Sequence, residues 1–233
     1  MTNYKTPKQF TLLILALVFA VSACGTKQEV QPTPQTVADQ KVDLKGLSLE
    51  LARDQDFKDY ILQIVDVYKG QSKLVYEQYE GDAKAYQNDV NTIYNANERS
   101  GWNEARVAQL DQKMGLAQGS FMDLANKRQV VLAKFKALSQ LSEDDAKKVM
   151  QESLKLLADN ARARTNNPCQ EACAFDYAAC IATATGVSIG LLAGCLAFTH
   201  PALIAACVAL IVSSNVFVVG GCYFSCLGCY RRC

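Results

Sequence analysis

The 233-residue chain is predicted to be all-α: an antiparallel helical bundle followed by a disulfide-stapled hydrophobic helical hairpin. Three observations predict this. Apolar residues recur every three or four positions from Leu44 to Ala163, with almost no β-branched run bounded by turns. Charge then stops: no Asp, Glu, Lys or Arg lies between Asp176 and Arg231. Finally, nine of the 10 cysteines follow residue 165, and the spacing of eight of them is mirrored about Pro201.

The chain begins with an address rather than a fold. "MTNYKTPKQF" carries Lys5 and Lys8 and no acid, and "TLLILALVFAVSA" follows as an apolar run too short for an ordinary membrane span. Small residues, Ser22 and Ala23, precede Cys24. Basic start, apolar run and small-small-Cys, in that order, resemble the signal peptide and lipobox of bacterial lipoproteins, with Val21 where Leu is commonest. The resemblance covers residues 1–25 only. It implies cleavage after residue 23, thioether lipidation of Cys24, and a mature protein held to membrane lipid in the cell envelope by acyl chains. Gly25, where an Asp would retain the protein at the inner membrane under the enterobacterial rule, points to the outer membrane. The alternative is a plain signal peptide cut after "VSA", with Cys24 a structural thiol. Residues 24–43 then read as lipid anchor and tether, because "GTKQEVQPTPQTVADQ" is polar, carries Pro32 and Pro34, and has too few apolar side chains to form a core.

Residues 44–164 read as the charged bundle, of about four helices. "DFKDYILQIVDVYKGQSKLVYEQY" sets Phe57, Ile61, Ile64, Val65 and Tyr68 on one stripe. "DAKAYQNDVNTIYNA" continues it through Tyr86, Val90, Ile93 and Tyr94. "ERSGW" interrupts, with Ser100 as the expected cap of "WNEARVAQLDQKMG", and the pattern passes through or around Gly115 and Gly119 to "FMDLANKRQVVLAKFKAL". "LSEDDAKKVMQESLKLLADNA" opens with Ser142 and Asp145 in capping-box spacing and carries Val149, Leu154 and Leu157 on its apolar side. The module has no His, no Ser–His pair, no glycine loop before a helix and no metal-spaced cluster, so no catalytic residue is assigned and no enzyme is expected. Its five tyrosines from Tyr68 to Tyr94 fit core-edge packing better than a ligand groove. A formal net charge of +1 gives no basic face for nucleic acid.

Residues 165–233 form the Cys-rich hairpin. From Cys169 through Cys173 and Cys180 to Cys195 the steps are 4, 7 and 15, and from Cys207 through Cys222 and Cys229 to Cys233 they are 15, 7 and 4. An antiparallel helix pair needs that symmetry for residues facing each other at equal height. The steps also keep each set within about 80° of helix circumference. The expected bridges are Cys169–Cys233, Cys173–Cys229, Cys180–Cys222 and Cys195–Cys207, with Cys226 unpaired. Sequence alone leaves about 945 pairings open, and a rival register, 169/226 with 173/222, strands Cys180. Export favours disulfides over zinc at Cys226 and Cys229, whose C-x-x-C spacing is not repeated, and no thioredoxin-like alternation surrounds that pair. No metal or cofactor is expected. Pro201 suits the first turn of a second helix, with His200 as its cap.

Gly186, Gly190 and Gly194 recur every fourth residue, a face on which helices touch closely in lipid. Both arms are apolar for about 20 residues, long enough to cross a hydrocarbon core. The tail is therefore expected to insert into a membrane through 177–230, to self-associate as a homo-oligomer, or to lie buried under the bundle, with Arg231 and Arg232 as end charges. Two functions follow. One is a non-enzymatic cell-envelope lipoprotein with a helical binding or spacer module. The other is an exported, bacteriocin-like antagonist with a membrane-active tail.

Overall fold

The computed structural model describes residues 42–98, 101–163, 168–185, 195, 200–216 and 219–233. Among them every regular element is helical. Cys24, Gly186, Gly190 and Gly194 lie outside the described residues.

Short polar side chains cut the periodic sequence into helices. Helix α1 (Leu44–Arg53) opens where Asp43 accepts a hydrogen bond from the Gly46 N–H at 3.0 Å. It closes at Asp54, whose carboxylate caps the next helix by accepting from the Phe57 N–H at 2.9 Å and also pairs with Lys134. Helix α2 (Gln55–Gln78) buries the stripe of Phe57, Ile61, Ile64, Val65 and Tyr68. Asp82 then accepts from the N–H groups of Lys84 and Ala85 to start α3 (Ala83–Glu98).

The expected cap Ser100 lies outside the described residues. The residue that opens α4 (Glu104–Lys113) is Asn103, accepting from the Arg106 N–H at 3.0 Å. Past α4 the chain goes around the two glycines rather than through them: Gly115 and Gly119 take φ of 71° and 90°. Helix α5 (Ser120–Lys134), a 3-10 turn (Lys136–Gln140) and α6 (Glu143–Arg162) follow, with Ser142 accepting from the Asp145 N–H at 3.2 Å. The charged half thus has more and shorter helices than the four expected, because each Asp or Asn cap ends a run that periodicity alone would continue.

The uncharged half supplies α7 (Pro168–Thr185), α8 (Pro201–Asn215) and α9 (Gly220–Tyr230). The second arm is not one straight helix. It breaks between α8 and α9, whose axes meet at 87°, and no single described helix is long and apolar enough to cross a membrane; that bent pair passes by length and composition alone. Helix α9 lies along α7, whereas α8 turns away onto α5, flanked by α3 and α4. The end of α8 is fixed from the bundle, since Gln87 on α3 donates to the carbonyl of Ser214 at 3.1 Å.

Residues Val42–Cys233 form one compact unit. Its hydrophobic core runs across the composition step, from Phe57 and Phe121 to Phe175, Ile204 and Val208. Helix α8 is apolar on all sides, as a helix surrounded by protein must be. Its Ile204, Val208 and Val212 are each at most 3% exposed, and each such burial stabilises the fold by roughly 1.5–3 kcal/mol. Close backbone approach elsewhere relies on small hydroxyl residues: Ser48 on α1 donates to the Val149 carbonyl at 3.3 Å, and Ser153 on α6 donates to that of Ser48 at 3.2 Å.

Only two acids precede the uncharged stretch in the tail, Glu171 and Asp176, and both pair with the bundle. Glu171 meets Lys58 of α2, and Asp176 takes Arg162 of α6 through both oxygens, at 2.7 and 2.5 Å. The Arg162 pair is about half exposed, so solvent screens it. Arg162→Ala is expected to cost less than about 1 kcal/mol in urea unfolding; a larger loss would mean the pair orients α7 rather than decorating it.

Candidate functional site

Helices α7 and α9 run antiparallel, and their facing stripes place five cysteines in register, with Cys233 just past the end of α9 as the sixth. The bridges are Cys169–Cys233, Cys173–Cys229 and Cys180–Cys222, with Cα separations of 5.5, 5.8 and 5.7 Å. A fourth, Cys195–Cys207, with Cα atoms 5.8 Å apart, ties residue 195 to α8. All four separations lie in the range a disulfide tolerates. The structure therefore holds the four pairs that the mirrored spacing specifies, in a shape that spacing did not specify. Three bridges form a ladder between α7 and α9, and the fourth stands apart on a helix pointing elsewhere.

Pro201 occupies the first turn of α8, and His200 caps it by accepting the Ala202 N–H at Nδ1, 3.3 Å away. Cys226 is the free cysteine and is buried. Burial pushes its thiol up, partly offset by nearby Lys69, so little of it is thiolate at neutral pH. It lines a partly open cavity of about 130 Å³ with Cys173, Cys180, Cys222 and Cys229, alongside Asp176, Tyr177, Ser225 and Arg232. The outermost bridges are in sulfur contact, with Sγ of Cys173 lying 3.6 Å from Sγ of Cys233.

The tyrosines do not converge on a groove. Tyr68 and Tyr86 are buried, Tyr79 meets Tyr86 edge-on at 5.5 Å, and Tyr94 leans on Trp102. Tyr76 goes to the tail, with its ring 4.7 Å from Phe224 and 5.9 Å from Tyr223 of α9. That approach explains Gly220, because a Cβ there would sit 2.6 Å from the Tyr76 hydroxyl oxygen. Phe224 remains 55% exposed, so α9 presents an aromatic patch shared with the bundle. A separate open groove of about 500 Å³ lies between α1 and α6, rimmed by Lys45, Lys148, Glu152 and Lys155 over Ser48 and Val149.

Sequence reasoning missed two parts of this arrangement: the ion pairs of Glu171 and Asp176, and the turn of α8 onto α5. The first had a signal, since these are the last acids before a long uncharged run. The second had only a weak one, Ser213 to Asn215 interrupting the apolar arm.

No family model matches the chain, and no curated protein and no solved structure matches it.

Proposed function

We propose that the protein is a non-enzymatic, lipid-tethered component of the bacterial cell envelope, whose folded part is a rigid helical binding or spacer body. In this reading Cys24 carries the lipid, the following polar residues form the tether, and the uncharged tail is a strut inside the body rather than a membrane span. One observation carries the last point: α8 and α9 bury their apolar sides in the same core as α2 and α5, and both tail acids pair with bundle cations. A helix so covered has little apolar surface left to offer lipid.

The non-enzymatic part is supported by three buried polar groups that serve the backbone. The Asp111 carboxylate caps a helix, and Ser48 and Ser153 bond backbone carbonyls. A binding surface is available in the aromatic patch of Tyr76 and Phe224, which both halves build. The disulfides suit an oxidising compartment.

The test uses a Cys24→Ala variant, exported through a non-lipoprotein signal and extracted from membranes with alkaline carbonate. The variant is expected in the supernatant while the wild-type protein stays in the pellet and takes up a clickable fatty acid at Cys24. A variant retained in the pellet would make the tail itself a membrane element and favour the antagonist reading.

A further inference from the structure

The outer end of the ladder has a geometry that disulfide bonding alone does not require. Two C-x3-C pairs face each other, Cys169/Cys173 on α7 and Cys229/Cys233 at the end of α9, with Cys233 three residues past the helix. Cys169 and Cys173 lie one turn apart on the same face of α7. The Sγ atoms of Cys169, Cys173 and Cys233 all lie within 4.8 Å of one another. Cys229, bonded to Cys173, supplies a fourth sulfur next to Cys173, outside that 4.8 Å group.

We propose that these four cysteines, once reduced, form a tetrathiolate zinc site. Zinc takes four thiolates at about 2.3 Å in a tetrahedron, which puts neighbouring sulfurs about 3.8 Å apart. The contact between Cys173 and Cys233, atoms of two different bridges, is already 3.6 Å. To admit the ion, the two bonded sulfur pairs open to the spacing that the unbonded pair has, and the Cys229 sulfur moves in toward the other three. Zinc with four thiolates carries two net negative charges. The N-terminal turn of α7, which begins at Pro168, presents its positive end to Cys169, and Arg231 and Arg232 stand beside Cys233. A helix N-terminus also favours thiolate over thiol. The sequence expectation of no metal weighed Cys226 and Cys229, whose spacing occurs once; C-x3-C occurs three times, and two of those pairs, 169/173 and 229/233, face each other.

The chemistry balances with a dithiol reductant. Two equivalents each reduce one bridge and close to their own disulfide, leaving four protein thiols. Zinc then replaces the thiol protons, releasing up to four of them. In an oxidising compartment the bridges are the resting form, so the zinc form belongs to the chain before oxidation or after contact with such a reductant. The same four residues then hold α7 to α9 in both redox states.

The full-length chain, reduced anaerobically with a phosphine that leaves no thiol behind, is titrated with Co²⁺ as the spectroscopic probe and then with Zn²⁺. One equivalent of Co²⁺ is expected to give the intense thiolate charge-transfer and tetrahedral bands of a four-sulfur site, and Zn²⁺ to abolish them. The oxidised protein is expected to bind none. A Cys180→Ser, Cys222→Ser variant should keep the bands, and a Cys169→Ser, Cys233→Ser variant should lose them. Because that second variant removes an end bridge, a third chain is decisive: one with Cys180, Cys195, Cys207, Cys222 and Cys226 all changed to Ala still binds one equivalent. Failure of that chain to develop the bands, or their persistence without Cys169 and Cys233, overturns the proposal.

Discussion

Replacing Cys180 and Cys222 together by alanine is expected to lower the unfolding free energy by about 3 kcal/mol. This bridge separates residues 42 apart in sequence, but its neighbour Cys173–Cys229 already shortens the loop it closes. The ring between the two bridges runs through residues 173–180 and 222–229, about 16 residues, and constraining a ring of that size in the unfolded chain is worth about 3 kcal/mol in the chain-entropy account. For a body of this length that is a fall of about 6–12 °C in Tm, read by circular dichroism without reductant. Cys169–Cys233 closes a smaller, more exposed ring, so its removal should cost less. The double variant is needed because Cys180→Ala alone leaves the Cys222 thiol one turn from Cys226, where a new pairing can form. An unchanged Tm in the double variant would mean that the third rung contributes no constraint.

Asp111→Ala is expected to cost a similar amount, about 3 kcal/mol, by a different mechanism. Asp111 ends α4 fully buried. Its carboxylate reaches across the loop to accept the N–H of Gly119 at 2.7 Å and of Phe121 at 3.0 Å. Gly119, at φ 90°, opens α5 without any side chain of its own to cap it. The cap is therefore borrowed from ten residues upstream of Phe121, and its loss leaves buried donors without an acceptor at the start of the helix that carries Phe121 and Leu124 into the core. Burial pushes the Asp111 carboxyl up, while the N–H groups of Phe121, Gly119 and Ser120 pull it down without cancelling the rise. A raised folded-state value means the folded chain keeps this proton to higher pH than the unfolded chain. The proton-linked part of its stability is thus fully present below the ordinary carboxylate range and is lost as pH rises through the raised value, while the capping hydrogen bonds remain. Asp111→Asn, which keeps one acceptor and cannot titrate, should be less damaging than Ala and should remove that acid-range slope in urea unfolding. Equal losses for Ala and Asn, with the slope intact, would contradict the capping role.

Much of this molecule can be read along its sequence, and the limits have physical causes. The three ladder bridges are legible because an antiparallel helix pair imposes a symmetry that the mirrored steps of 4 and 7 display; Cys195–Cys207 follows the same mirror although α8 leaves the pair. The stripe of Phe57, Ile61 and Tyr68 is legible because an amphipathic helix must turn one side inward. Helix boundaries are less so: Asp54 sits in a run that stays periodic on both sides of it, and only the carboxylate's hydrogen bond to Phe57 shows where one helix ends. The direction of α8 is hardest. A helix that is apolar all round carries no periodic mark of which neighbour it faces, so the sequence is equally consistent with lipid, a second copy or the bundle. The structure puts α5 there. Asp111 escaped notice because its acceptors' partners, Gly119 and Phe121, are joined to it only through a loop conformation that two glycines permit.

The ladder is tested most directly by mapping its bridges in the oxidised protein. Denatured without reductant, alkylated and digested with trypsin, the chain is cut after Arg164, Arg231 and Arg232 but nowhere between Arg164 and Arg231. The structure predicts that Cys233 remains bound to the large tail peptide through Cys169 and that Cys226 is the tail's sole alkylated cysteine. Cys233 recovered free, or alkylation spread over several tail cysteines, would contradict it.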